Sequence, residues 1–255
     1  MQGEIPRGVT PHGTKEKALS ILLVVVLGLG LPYAAALAAF LASRWLGTPS
    51  PRGPTLPWLY SHHAFQLVFA LVAIALLRRV RPFDPGLRWP PARTYIAPAL
   101  LWGIFFGVLM TLVDHGPALF AMRAPHVDFP LTSANVAGWL FFEGVYVGPT
   151  EEIPFRSLLV GYLLATVPGR LCVGRFEMGW AGVIVAAIFA LAHAQNFVKD
   201  PSWAAFGQQI YAFALGILYA YWFEKSRSVV APIVGHNASD FVEDALVFLL
   251  AAAWR

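Results

Sequence analysis

A single cysteine, Cys172, stands in the 255 residues of this chain. One cysteine excludes an intramolecular disulfide framework and a metal–thiolate cluster. Charge is scarce too: Asp, Glu, Lys and Arg make up 13% of the residues, against roughly a quarter in a soluble globular domain. The sequence has no HExxH motif, no internal repeat and no low-complexity segment. It also lacks any basic tract interleaved with aromatics that would suit a nucleic-acid groove, so nucleic acid is set aside as a partner despite a pI near 9.4.

Apolar residues fill the chain instead, at 58% with a mean hydropathy of +0.62. That is the composition of a polytopic membrane protein. A helical span needs about 20 mostly apolar residues. Seven runs qualify: 18–43, 57–77, 95–113, 136–167, 179–197, 203–223 and 229–253. A missed half-span in the second half would make eight. The expected fold is an all-α bundle of transmembrane helices. Residues 1–17 read as an N-terminal cytoplasmic segment and 18–255 as one transmembrane domain. The first apolar run is too long for a signal-peptide core and reads as a first span rather than a cleavable signal. Turn formers mark the loops, with GTPSPRGP at 47–54, RPFDPG at 81–86 and VPGR at 167–170.

Basic residues orient the bundle. With the N-terminus inside, twelve Lys and Arg face the cytoplasm: Arg7, Lys15, Lys17, Arg78, Arg79, Arg81, Arg88, Arg93, Arg170, Arg175, Lys225 and Arg227. Five face away: Arg44, Arg52, Arg123, Lys199 and Arg255. The positive-inside bias favours N-in, C-out. Trp45, Trp58, Tyr95, Trp180, Trp203 and Trp222 fit interfacial belts.

Arg156 is left over, inside the fourth run, in the stretch PTEEIPFR. Ionisable residues in a span cost about 2.5–3.5 kcal/mol each on insertion scales and face a cavity or a partner. They cluster in three places. The fourth run carries Glu143, Glu151, Glu152 and Arg156; the fifth carries His193 with Gln195 and Asn196; the seventh carries His236, Asp240, Glu243 and Asp244. Pro149 and Pro154 interrupt the hydrogen-bond ladder of the fourth run, which predicts a kinked or broken helix. Spacing sorts the rest. Glu152 and Arg156 are four apart and share a helical face, whereas Glu151 points about 100° away. His236 and Asp240 repeat the four-residue spacing, as do Phe189 and His193. A carboxylate and a histidine in one wet pocket can activate water. A second histidine can hydrogen-bond a developing oxyanion. The set suits hydrolysis of a peptide or ester within the membrane, in a polar cavity between the fourth, fifth and seventh helices.

At these residues the sequence resembles the CAAX protease and bacteriocin-processing family of intramembrane proteases, which includes the type II CAAX prenyl endopeptidases. The family pattern is EExxxR, FxxxH and HxxxN or HxxxD on successive membrane helices. This chain has EEIPFR at Glu151–Arg156, FALAH at Phe189–His193 and HNASD at His236–Asp240, within about residues 136–245. The resemblance implies a glutamate-dependent, metal-independent protease without a cofactor. It implies that Glu151 and His193 activate water, that His236 and Asp240 sit at the oxyanion hole, and that the Glu152–Arg156 pair fixes the helix carrying Glu151. Asn is more usual at the position of Asp240. An ionised Asp cannot donate to an oxyanion, so Asp240 must be protonated or must act by orienting His236. The implied partners are the lipid bilayer and a membrane-tethered protein or peptide substrate. The implied location is an integral protein of a bacterial inner membrane.

Other polar residues carry blander expectations. Glu143 is read as pairing with a polar group on another span in preference to lining an access cavity. His62 and His63 read as interfacial, His115 and His126 as loop residues, and Gln208 and Gln209 as packing. No residue is assigned to substrate binding, and Asp114, Asp128, Glu243 and Asp244 receive no catalytic role. Two other functions fit the same groups. Two histidines with Glu151 could form a zinc site with an open position, although they lie on different helices. A transporter or scaffold could use the carboxylates as a proton path, but no inverted repeat accompanies them.

Overall fold

The structure is a computed structural model and describes residues 13–46 and 55–254. The turn at 47–54, Arg7, Arg52, Arg255 and most of the N-terminal segment lie outside the described residues. Among the described residues there are seven helices: α1 Thr14–Trp45, α2 Leu56–Val80, α3 Ile96–Phe120, α4 at 133–166, α5 Trp180–Lys199, α6 Trp203–Ser226 and α7 Val230–Ala253. Each corresponds to one apolar run, with ends shifted by the caps. Four of them, α1, α2, α3 and α5, are long and apolar enough to cross a membrane by length and composition. The protein is an all-α membrane helix bundle, and the other three helices hold most of its interior polar groups.

One element was not foreseen. Between α4 and α5, the segment read as a loop folds into an antiparallel hairpin, β1 Arg170–Val173 paired with β2 Phe176–Gly179. Gly174 supplies the positive φ of its turn. Arg170 pairs with Glu177 across the hairpin and with Glu224 on α6, and Glu224 also accepts from the Gly179 backbone N–H at 2.7 Å. Trp222, expected at an interface, is 3% exposed and packs beside Tyr219.

The fourth helix is not broken. It runs without interruption from Ser133, but two segments, Phe142–Tyr146 and Ile153–Val160, widen into π-helix. Wide turns and prolines coincide because proline lacks an N–H and its ring crowds the carbonyl four residues back. Pro149 strands the carbonyl of Val145, and Asn237 of α7 donates to that oxygen at 3.4 Å. Pro154 strands the carbonyl of Thr150, and Gln66 of α2 donates to that one at 3.1 Å. The side chain of Asn237 also accepts from the Gly148 backbone N–H at 2.8 Å. Two amide side chains from neighbouring helices thus satisfy the groups the prolines leave open, as a low-dielectric interior requires.

The helix α7 is brought to the centre by small residues on α3. A Cβ on Gly103 would stand 2.6 Å from the Gly235 carbonyl oxygen, and one on Gly107 would stand 2.5 Å from that of Ser239. These glycines, four apart, form a small-residue stripe that lets two backbones touch. The close seam fixes the rotation of α7, leaving His236 and Asp240 turned towards the interior. Gly107→Leu should force the helices apart. A loss of about 1–3 kcal/mol is expected, read as a lower unfolding temperature in detergent with normal insertion into the membrane.

Candidate active site

Glu152 and Arg156 are both fully buried, and Arg156 Nε lies 2.8 Å from Glu152 Oε2. The i, i+4 geometry therefore survives the proline between them. The guanidinium of Arg156 lies over the rings of Phe189 at 4.9 Å and Tyr219 at 5.5 Å, so aromatic faces supply the contacts that water cannot. Glu152 Oε1 accepts from His236 Nδ1 at 2.8 Å. Helices α4 and α7 are thus joined by a cation, a carboxylate and an imidazole in sequence.

The other nitrogen of His236 is also engaged. His236 Nε2 lies 3.1 Å from Asp240 Oδ2 and 3.8 Å from Glu151 Oε2. Ser239 donates to Asp240 Oδ1 at 2.9 Å. The same Ser239 hydroxyl also lies 2.8 Å from the His236 carbonyl oxygen, so Asp240, Ser239 and His236 form one cluster on α7. Tyr219 stacks on the imidazole at 5.6 Å between centroids, with an interplanar angle of 18°.

His193 stands apart from this chain. Its Nδ1 donates to the Phe189 carbonyl at 2.8 Å, which directs Nε2 away as an acceptor. The ring of Phe189 packs edge-on to His193 and Phe155 as well as against Arg156. That is the physical content of the FxxxH spacing: one residue both holds the histidine and covers the buried arginine.

A cavity of about 180 Å³ opens on His193, His236 and Asp240, with Phe189 and Tyr219 in its wall. Its walls come from α3 and α6 as well as α4, α5 and α7, so the expected three-helix cavity is too small a description. Met110 closes one side, and Gln208, Tyr211 and Leu215 another. Glu143 lines it too, beside Asp240, Glu243 and Asp244. Lining the cavity was the less favoured of two expectations for Glu143, the other being a polar partner on another span. Asp244 is shared with a second cavity of about 460 Å³, lined by Trp139, Phe248, His115 and His126 among others.

Glu151 is not in the wall of the first cavity; its side chain is 18% exposed, within 4.0 Å of two histidines. They are His236 and His63, and His193 is not one of them. His63, read as interfacial, is 6% exposed and bonded to Thr150 Oγ1 at 2.9 Å. The signal available was its spacing with Gln66, three residues on, which puts two polar side chains on one face of an apolar helix. Gln208 lies in the cavity wall and accepts from Asn196 at 2.9 Å. No group of three or more His, Cys, Asp or Glu among the described residues has the arrangement of a metal-ligand set. Both nitrogens of His236 are already held by carboxylates.

Fold and site together define a class: an integral membrane protein with a histidine- and carboxylate-bearing cavity inside its helix bundle. Residues 133–242 match the family model described as type II CAAX prenyl endopeptidase Rce1-like. All three polar motifs lie within the matched region, which agrees with the resemblance read from the sequence. The match covers 110 of the 255 residues, less than half of the chain. No curated protein and no solved structure matches the chain.

Because Glu152 and Arg156 are sealed from water, removing one partner leaves the other as a buried unpaired charge. Arg156→Met should cost about 3–5 kcal/mol, seen as a large fall in unfolding temperature in detergent. Replacing the partly exposed Glu151 by Gln should leave that temperature nearly unchanged.

Proposed function

We propose that this chain is a glutamate-dependent endopeptidase that hydrolyses a peptide bond of a membrane-tethered protein without a metal ion. The observation that carries the reading is the contact series Arg156, Glu152, His236 and Asp240, with Glu151 3.8 Å from the same imidazole. A water molecule attacks the scissile carbonyl carbon while Glu151 takes its proton. His193, with Nε2 as acceptor, orients that water from the cavity side. The carbonyl π pair moves to oxygen, and the oxyanion takes the Nε2–H of His236 in place of Asp240. Glu151 then returns its proton to the departing amine as the C–N bond breaks. A carboxylic acid and an amine are released, and every proton is accounted for.

Asp240 holds the Nε2–H of His236 in position between turnovers, and Glu152 anchors the opposite side of the ring. The Glu152–Arg156 pair fixes the turn that presents Glu151. Residues 18–255 act as one protease domain in this reading, with residues 1–17 in the cytoplasm and the protein in a bacterial inner membrane.

The reading is tested with purified protein in liposomes and a quenched-fluorescent peptide ending in a farnesylated CAAX sequence. The wild type should cleave it at a rate unchanged by chelator. Glu151→Ala and His193→Ala, at wild-type expression, should lose at least about a hundredfold in kcat. Chelator inhibition reversed by Zn²⁺ would favour a zinc hydrolase. Full activity in Glu151→Ala would remove the glutamate from the mechanism.

A further inference from the structure

Helix α2 contributes to the site in a way the three motifs do not include. The carboxylate of Glu151 lies between two imidazoles, with Oε2 3.8 Å from His236 Nε2 and Oε1 4.0 Å from His63 Nε2. His63 sits 88 residues earlier in the chain, and it is caged by the edges of Phe142, at 5.0 Å, and of His62, at 5.1 Å. Its other nitrogen, Nδ1, bonds Thr150 Oγ1 at 2.9 Å.

The tautomer of His63 follows from Thr150. The Thr150 hydroxyl has one proton, and it faces the carbonyls of Tyr146 at 3.0 Å and Val147 at 2.8 Å. Those oxygens only accept, so the proton is committed to them and Oγ1 accepts from His63. Neutral His63 therefore carries its proton on Nδ1 and presents a bare lone pair at Nε2. Opposite stands an ionised carboxylate, which is also an acceptor. Two apposed acceptors have no proton to share, and 4.0 Å is a separation beyond hydrogen-bond reach.

That mismatch ends when Glu151 gains a proton. We infer that His63 is a positioning residue: it accepts a hydrogen bond from Glu151 Oε1–H once Glu151 has taken the proton from the attacking water. The inference rests on the proteolytic reading above. In the resting enzyme the pair is held slightly apart; in the tetrahedral intermediate it closes by about 1 Å, to ordinary hydrogen-bond length. The contact is made in the intermediate and is absent in the ground state, so its value appears in kcat and leaves substrate affinity alone. Helix α2 holds both parts of the device. His63 grips the Thr150 side chain, and Gln66 bonds the Thr150 carbonyl at 3.1 Å, immediately before Glu151 in sequence.

The test uses the full chain in liposomes with the same farnesylated CAAX peptide, comparing wild type with His63→Phe, His63→Gln and Thr150→Val. Phe keeps the ring without an acceptor, Gln restores an acceptor oxygen, and Val removes the group that fixes the tautomer. His63→Phe should lower kcat by roughly tenfold or more with KM unchanged, and His63→Gln should recover most of the loss. Thr150→Val should lower kcat in the same direction. Wild-type kcat in His63→Phe, or a rise in KM as large as the fall in kcat, overturns the inference while leaving the protease intact. Should His63→Phe fail to fold, Thr150→Val decides: reduced kcat at constant KM supports the role, and unaltered kcat overturns it. A wild type that cleaves nothing overturns the proteolytic reading and this inference with it.

Discussion

Everything in the site hangs on one buried carboxylate. Glu152 has no contact with solvent, yet it receives Arg156 on one side and His236 on the other. An isolated charge at this depth would cost several kcal/mol. The arginine repays much of that by Coulomb attraction in a poorly screening interior. Its guanidinium in turn is covered by Phe189 and Tyr219. Those two rings also touch His193 and His236, so the packing that insulates the ion pair is the packing that shapes the cavity. Charge neutralisation, ring orientation and cavity shape are therefore one constraint, met by residues from four helices.

The prolines of PTEEIPFR belong to the same constraint. A regular α-helix would sweep Glu151 and Glu152 past α7 at a fixed rotation. The two π segments change that rotation locally, and Glu152 then faces His236 while Glu151 faces both His236 and His63. Widened turns leave backbone groups in need of partners, and Asn237 and Gln66 provide them. An irregular helix is tolerated inside a membrane bundle because neighbouring side chains close its hydrogen-bond account.

Much of this was legible in the amino-acid order, for definite reasons. Seven apolar runs gave seven helices because span length is set by the bilayer and not by tertiary contact. The Glu152–Arg156 and His236–Asp240 contacts were legible because i, i+4 neighbours meet on any helix. What escaped depends on partners distant in sequence. Pro149 and Pro154 announced a kinked or broken helix, but Asn237 and Gln66, which keep it continuous, lie on other helices. His63 looked interfacial because its partners, Thr150 and Glu151, are almost ninety residues away. The walls contributed by α3 and α6 were hidden for the same reason, and Glu143 at the cavity was the less favoured expectation because no spacing rule reveals which face of a long helix borders a cavity. The hairpin at 170–179 was missed because two four-residue strands give too short an alternation to separate from a loop.

The central claim is that Glu151 acts on water and forms no bond to the substrate. A single turnover of excess enzyme in H₂¹⁸O, followed by mass spectrometry of product and protein, tests it directly. The account predicts one labelled oxygen in the new C-terminal carboxylate of the product and none in Glu151. Label in the Glu151 side chain would reveal an anhydride intermediate and contradict it.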